Sequence, residues 1–205
     1  MDMMKKQLLK WTIVGFCSVL GVTALGAGQV SAHGYITSPG SRAYLGSNAF
    51  TNDTGQKPLN TNVGQVQYEP QSIEAPKNTF IDGKLASANI SSFSNLDEQT
   101  STRWHQNQVK SGALTIKWHL TAQHKTSTWD YYLTRPGWNP NQPLSILNFE
   151  KITSIDDQGK LPAKDVAQTI NIPTDRSGYN VLLGVWNISD TANAFYQAVD
   201  LNITK

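Results

Sequence analysis

Apolar and polar positions alternate strictly over residues 114–121, with Leu114, Ile116, Trp118 and Leu120 on one side and Thr115, Lys117, His119 and Thr121 on the other. Successive side chains of a strand point to opposite faces, so this stretch predicts a half-buried strand with His119 on its polar face, in a solvated or cross-strand role. Trp129, Tyr131 and Leu133 repeat the alternation until Arg135-Pro136-Gly137 breaks it. Shorter strands are predicted at 145–149 and 168–172, and longer ones at 179–188 and 195–203. The last alternates Phe195, Gln197, Val199, Leu201 and Ile203 against Tyr196, Ala198, Asp200 and Asn202. Many short strands separated by turn residues, without a sustained amphipathic helix, predict an all-β antiparallel sandwich.

Residues 35–103 lack both periods and are rich in Ser, Asn, Thr, Gly, Pro and Gln. They read as long loop with short helical pieces, and 46–67 as flexible surface loop. A loop of this length in a compact domain is usually functional or disordered. Tyr68-Glu69-Pro70-Gln71-Ser72-Ile73-Glu74 concentrates an aromatic ring and two carboxylates, which by composition suits a capped turn as well as a binding surface. Asn95-Leu96-Asp97-Glu98-Gln99-Thr100 places acids near an expected helix start, where they suit the helix dipole.

At the amino end, Lys5, Lys6 and Lys10 precede a mostly apolar, uncharged run over 11–25, followed by the small residues Val30-Ser31-Ala32. This is the pattern of a secretory signal, and the run is short for the roughly twenty residues of a membrane span. Cleavage after Ala32 is expected, giving a 1–32 signal peptide and a single secreted, extracellular domain over 33–205. The signal carries three of the 17 basic residues and one of the 15 acidic ones, leaving 14 of each. A balanced charge argues against nucleic acid or an anionic membrane as partner. Cys17, the one cysteine, leaves with the signal, so the mature domain has no disulfide, thiolate metal site or thiol nucleophile.

Such a cut makes His33 the first residue. A terminal histidine can hold a metal through both its α-amine and its ring Nδ1, and a second histidine completes a three-nitrogen site. His124 follows the 114–121 strand in a Gln-His-Lys-Thr-Ser turn, where a rigid sheet can present a side chain.

His33-Gly34-Tyr35, the 68–74 segment, Thr121-Ala122-Gln123-His124 and Asp190-Thr191-Ala192-Asn193-Ala194-Phe195-Tyr196-Gln197 occur in that order. Together they resemble the bacterial chitin-active lytic polysaccharide monooxygenases of auxiliary activity family ten, formerly called chitin-binding proteins. Thr100-Ser101-Thr102-Arg103-Trp104 and Ile172-Pro173-Thr174-Asp175-Arg176-Ser177-Gly178 look like further landmarks. The resemblance implies a fibronectin III or immunoglobulin-like sandwich with a loop-and-helix insertion near the amino terminus. It implies that His33 and His124 bind copper as a histidine brace, with Ala122 and Phe195 on the two axial sides. Glu74 is then the carboxylate that shapes how oxygen species sit at the metal. Tyr68, Glu69, Pro70, Gln71, Asp190 and Asn193 belong to a flat face that meets crystalline chitin. The activity implied is oxidative cleavage of chitin, at C1, by a monomer using an external electron donor and O2 or H2O2.

The residues agree with that chemistry on their own terms. Copper binds nitrogen donors most tightly among first-row divalent ions, and a thiolate-free set suits a redox centre other than the blue electron-transfer type, although zinc can also occupy it. An α-amine has a reference pKa of about 7.7 to 8.0, so acid should weaken the site. A non-catalytic chitin-binding or adhesion module is the alternative, in which the histidines are incidental. A hydrolase is disfavoured because Glu69 and Glu74 have no partner at glycosidase spacing.

Overall fold

The computed structural model describes residues 33–205, within one compact unit, Ser31–Lys205. The expected signal, its cut after Ala32 and Cys17 lie outside the described residues. In chain order the elements are β1 (His33–Ser38), α1 (Arg42–Leu45), α2 (Asn48–Thr54), β2 (Glu74–Pro76), β3 (Asn107–Lys110), β4 (Gly112–Ala122), β5 (Thr126–Thr134), β6 (Phe149–Lys160), β7 (Asp165–Ile172), β8 (Gly178–Ile188) and β9 (Asn193–Thr204). Short 3-10 turns cover Gly64–Gln67, Ser91–Asp97 and Ile146–Asn148.

Two sheets face each other. The smaller has the order β1-β4-β7 and the larger β2-β9-β8-β5-β6, with β3 running parallel to β9. Every other pairing between strands is antiparallel, so the antiparallel sandwich expected from the alternation is the fold.

The sandwich interior holds Ile36, Ile116, Trp118, Leu120, Trp129, Tyr131, Leu133, Trp186, Phe195 and Val199. Each large apolar side chain removed from water there contributes about 1.5–3 kcal/mol. β8 and β9 are buried on both faces. Their other face, with Val181, Val185, Ala194, Tyr196 and Ala198, packs under insertion residues such as Val66, Ile73, Leu85, Phe93 and Trp104. The segment between β1 and β3 therefore acts as a third layer on the larger sheet.

One buried ion pair fastens this layer. Arg42 Nη2 donates to Asp200 Oδ1 at 2.8 Å and Nε to Asp200 Oδ2 at 2.8 Å, while Nη1 donates to Leu96 O at 2.9 Å. A bidentate guanidinium–carboxylate pair fixes direction as well as distance.

Four sequence expectations need correction. The 145–149 stretch is a 3-10 turn leading into β6, whose pairing with β5 shifts register between Tyr131 and Tyr132. That irregularity leaves Ile152 and Ile155 three residues apart, so period-two reading fails there. The 46–67 stretch is ordered: Ser47 caps α2 by accepting from Phe50 N, and Gly55, at φ 70, ends it in the left-handed conformation. Around residue 97 a 3-10 turn ends where a helix start was expected, and Asp97 Oδ1 instead accepts from Ser87 N at 2.9 Å. Finally, 35–103 begins inside β1, where Gly34, Tyr35 and Ile36 are all buried and no alternation shows, and contains β2, which is only three residues long.

Candidate metal centre

β1 and β4 place His33 at the edge of the smaller sheet. His33 lies opposite Ala122 and Gly34 opposite Leu120, with a register shift between them. Gly34 is required for close approach: a Cβ there would lie 2.6 Å from Leu120 Cδ2, 3.2 Å from His119 O and 3.3 Å from a ring carbon of Trp186. The backbone at Gly34 also donates to Gln71 O at 3.3 Å, which ties β1 to the 68–74 segment.

β4 ends at Ala122, and His124 sits in the three-residue connection to β5. Its carbonyl accepts from Thr126 Oγ1 at 3.1 Å, and that hydroxyl accepts from Trp186 Nε1 at 2.7 Å, so the connection is anchored in the sandwich core. The imidazole is buried, with 7 % of its side chain exposed. Nδ1 lies 3.1 Å from Asp190 Oδ1, while Nε2 is sealed from water with no hydrogen-bond partner among the described residues.

Buried polar atoms are almost always satisfied, so a sealed imidazole nitrogen marks an incomplete site. Nδ1–H directed at a carboxylate fixes the tautomer whose Nε2 carries the lone pair, which is how ligating histidines are held. The hydrogen bond from the His124 ring also holds the Asp190 carboxyl below its ordinary pKa. Among the described residues no group of three or more His, Cys, Asp or Glu side chains converges. A set of two rings and one α-amine needs only two such side chains, the amine being the one that the expected cut after Ala32 would free at His33. The donors therefore fit a nitrogen-liganded ion of the copper or zinc kind.

Phe195 and Glu74 come from facing positions of β9 and β2. The Phe195 ring, fully buried, lies 6.3 Å from the His33 ring and 5.1 Å from Trp186, so the core wall reaches the histidine. Half-buried Glu74 accepts from Asn193 Nδ2 at 2.8 Å through Oε1. Sequence reasoning placed Asn193 on the substrate face; its amide is committed to Glu74. Pro70, expected on the same face, is buried, because its segment folds back so that its carbonyl accepts from Gln197 Nε2 at 3.1 Å.

Tyr68 is 66 % exposed, Asp190 is exposed, and Glu69 and Gln71 are half-buried. The loop bearing Asp190 and Asn193 is held from both sides. Ser189 N donates to Lys125 O at 2.7 Å, Lys77 N to Ala192 O at 2.9 Å and Lys77 Nζ to Thr191 O at 3.0 Å. Sequence reasoning missed Thr126, Lys77 and Gln197 as supports of the site. Only Gln197 left a visible sign, as the polar exception in an apolar alternation.

His119, the competing histidine, pairs across strands with Asp165, Nδ1 to Oδ1 at 2.7 Å, and packs on Tyr35 at 5.6 Å between ring centroids. His105 is exposed on the insertion.

A family model described as lytic polysaccharide mono-oxygenase, cellulose-degrading, matches residues 33–201. A lytic chitin monooxygenase of Enterococcus faecalis is 61 % identical over 200 residues, covering 98 % of this chain and 100 % of that protein. Among solved structures, a polysaccharide monooxygenase CBM33 studied by X-ray photoreduction is 64 % identical, with TM-score 0.80, covering 84 % of this chain and 100 % of that one. A Bacillus amyloliquefaciens CBM33 in complex with Cu(I) is 42 % identical, with TM-score 0.76, over 84 % of this chain and 100 % of that one.

Proposed function

This chain belongs to the lytic polysaccharide monooxygenase family, and we propose that it is a secreted, copper-dependent member that cleaves crystalline chitin oxidatively at C1. One observation carries the copper reading: the buried, partnerless Nε2 of His124 beside an amino-terminal strand that begins at His33. The named activity of the Enterococcus faecalis relative, identical at 61 % of positions over its whole length, supports chitin as substrate. The Cu(I) complex of the Bacillus amyloliquefaciens neighbour supports copper as metal.

In this reading His33 supplies its α-amine and ring, and His124 its Nε2. Copper, when bound, supplies one-electron chemistry that turns O2 or H2O2 and an external reductant into an oxidant for a C–H bond at the glycosidic carbon. Asp190 holds the His124 ring in its ligating tautomer. Phe195 and Ala122 would limit access to the bound metal and exclude bulk water from it. Glu74, fixed by Asn193, places a carboxylate at the same end of β9 as Phe195, where it can hold or pass a proton.

A crystalline face can only be met by a plane. Tyr68 offers the large exposed ring, while Glu69, Gln71 and Asp190 offer hydrogen bonds of about 0.5–1.5 kcal/mol each. The mature protein is proposed to act as a monomer over residues 33–205.

Amino-terminal sequencing of the secreted protein, together with a Cu(II) titration, tests the reading. A start at His33 and one tightly bound ion are expected. Any other first residue removes the amine and sinks the brace.

A further inference from the structure

Gln197 is the only polar residue in the series Phe195, Gln197, Val199, Leu201 and Ile203, and it is fully buried. An amide in an apolar stripe is costly unless both ends are hydrogen-bonded, and here both are. Oε1 accepts from Ser41 Oγ at 2.6 Å and Nε2 donates to Pro70 O at 3.1 Å. Ser41 is itself fully buried, and its oxygen also caps α1 by accepting from Tyr44 N at 3.2 Å.

The Pro70 carbonyl belongs to the segment that carries exposed Tyr68. Its neighbour Gln71 accepts from Gly34 N at 3.3 Å, immediately after His33. A single amide thus joins the first turn of the insertion, the central strand β9 and the loop that bears Tyr68, Glu69 and Gln71. A leucine at 197 would complete the apolar stripe but leave the Pro70 carbonyl without its donor.

We propose that Gln197 is a positioning residue for the polysaccharide contact: its amide pins the Pro70 carbonyl and thereby holds the Tyr68 loop in register with the metal centre. This rests on the reading that Tyr68, Glu69 and Gln71 meet the chitin surface. Gln197 does not itself touch copper or sugar.

The test uses the processed, copper-loaded protein with Gln197→Met, which keeps the volume and removes both hydrogen bonds, and Gln197→Glu. Three quantities are read: β-chitin binding isotherms, Cu(II) affinity and amide hydrogen exchange. Gln197→Met should weaken chitin binding about threefold to tenfold, the loss expected for one neutral hydrogen bond, with copper affinity unchanged. Loop amides such as Glu69 N and Ser72 N should exchange faster while the β8–β9 ladder stays protected. In a Tyr68→Ala background the same substitution should cost little more.

Gln197→Glu adds a reversible control. Protonated, its side chain can donate to Pro70 O; ionised, it repels that carbonyl. Chitin binding relative to wild type at the same pH should therefore approach unity in acid and fall as pH rises, with the β8–β9 ladder still protected from exchange, whereas a general loss of stability would expose both loop and ladder.

Wild-type exchange of the loop amides in Gln197→Met, or full additivity with Tyr68→Ala, overturns the proposal. Tyr68→Ala binding like wild type would instead overturn the substrate-face reading. Faster loop exchange in Gln197→Met would then still show that Gln197 holds the Tyr68 loop, while its role in the polysaccharide contact falls with that reading.

Discussion

The Nδ1 of His124 lies 3.1 Å from Asp190 Oδ1, and this contact aims the sealed Nε2 of the same ring away from the carboxylate. Asp190→Ala should therefore lower Cu(II) affinity without removing a ligand. Loss of such an orienting partner costs 10–100-fold in typical sites, and with 45 % of the Asp190 side chain exposed, water can replace part of the contact, so about tenfold is expected. Competition titration against a chelator measures it; wild-type affinity would show that the contact does not orient the ring.

The four histidines divide sharply by surroundings. His124→Ala should weaken copper binding and abolish oxidative cleavage. His119→Ala and His105→Ala should keep both, because His119 is committed to Asp165 at 2.7 Å on the outer face of β4 and His105 is exposed on the insertion. Paramagnetic resonance of Cu(II) in the three variants separates them, and an equal loss from His119→Ala would identify a different site.

Gly34→Ala forces a Cβ to within 2.6 Å of Leu120 Cδ2 and 3.2 Å of the His119 carbonyl. Leu120 is buried in the sandwich core and has little room to yield, so overpacking should cost about 1–3 kcal/mol. Urea unfolding of the processed protein reads that loss. A broadened Cu(II) resonance should accompany it, because β1 carries His33.

Burial raises the pKa of the Asp97 carboxyl above its ordinary value, despite the hydrogen bonds from Ser87 that oppose the shift. In the window between the unfolded and the raised folded pKa the native state holds more protons than the unfolded state. Stability from this residue is therefore lost as pH rises through that window. Asp97→Asn keeps an acceptor for Ser87 N and cannot ionise, so it should stabilise the protein at neutral pH and be nearly neutral in strong acid. Thermal unfolding at the two pH values checks the sign.

Strands buried on one face were legible in the sequence because their side chains alternate, as β4 shows with Ile116, Trp118 and Leu120 inside. β6 was displaced because its pairing shifts register, and β2, at three residues, is too short to show a period. The third layer was hidden because its contacts with β8 and β9 are long-range, and the local hint was that Tyr196 and Ala198 make the start of β9 apolar on its second face as well. At the site, the two histidines were visible through the expected signal cut and the order of the motifs. The supports were not: Asn193 on Glu74, Thr126 under His124 and Gln197 under Pro70 are hydrogen bonds between segments far apart in the chain.

The most direct measurement is mass spectrometry of the soluble products released from β-chitin by the copper-loaded protein starting at His33, with a reductant and O2 or H2O2. Chito-oligosaccharides carrying one added oxygen at the C1 end are expected, absent without reductant and absent in His124→Ala. Native, unoxidised oligosaccharides, or no release at all from a protein that binds chitin and one copper ion, would contradict the account.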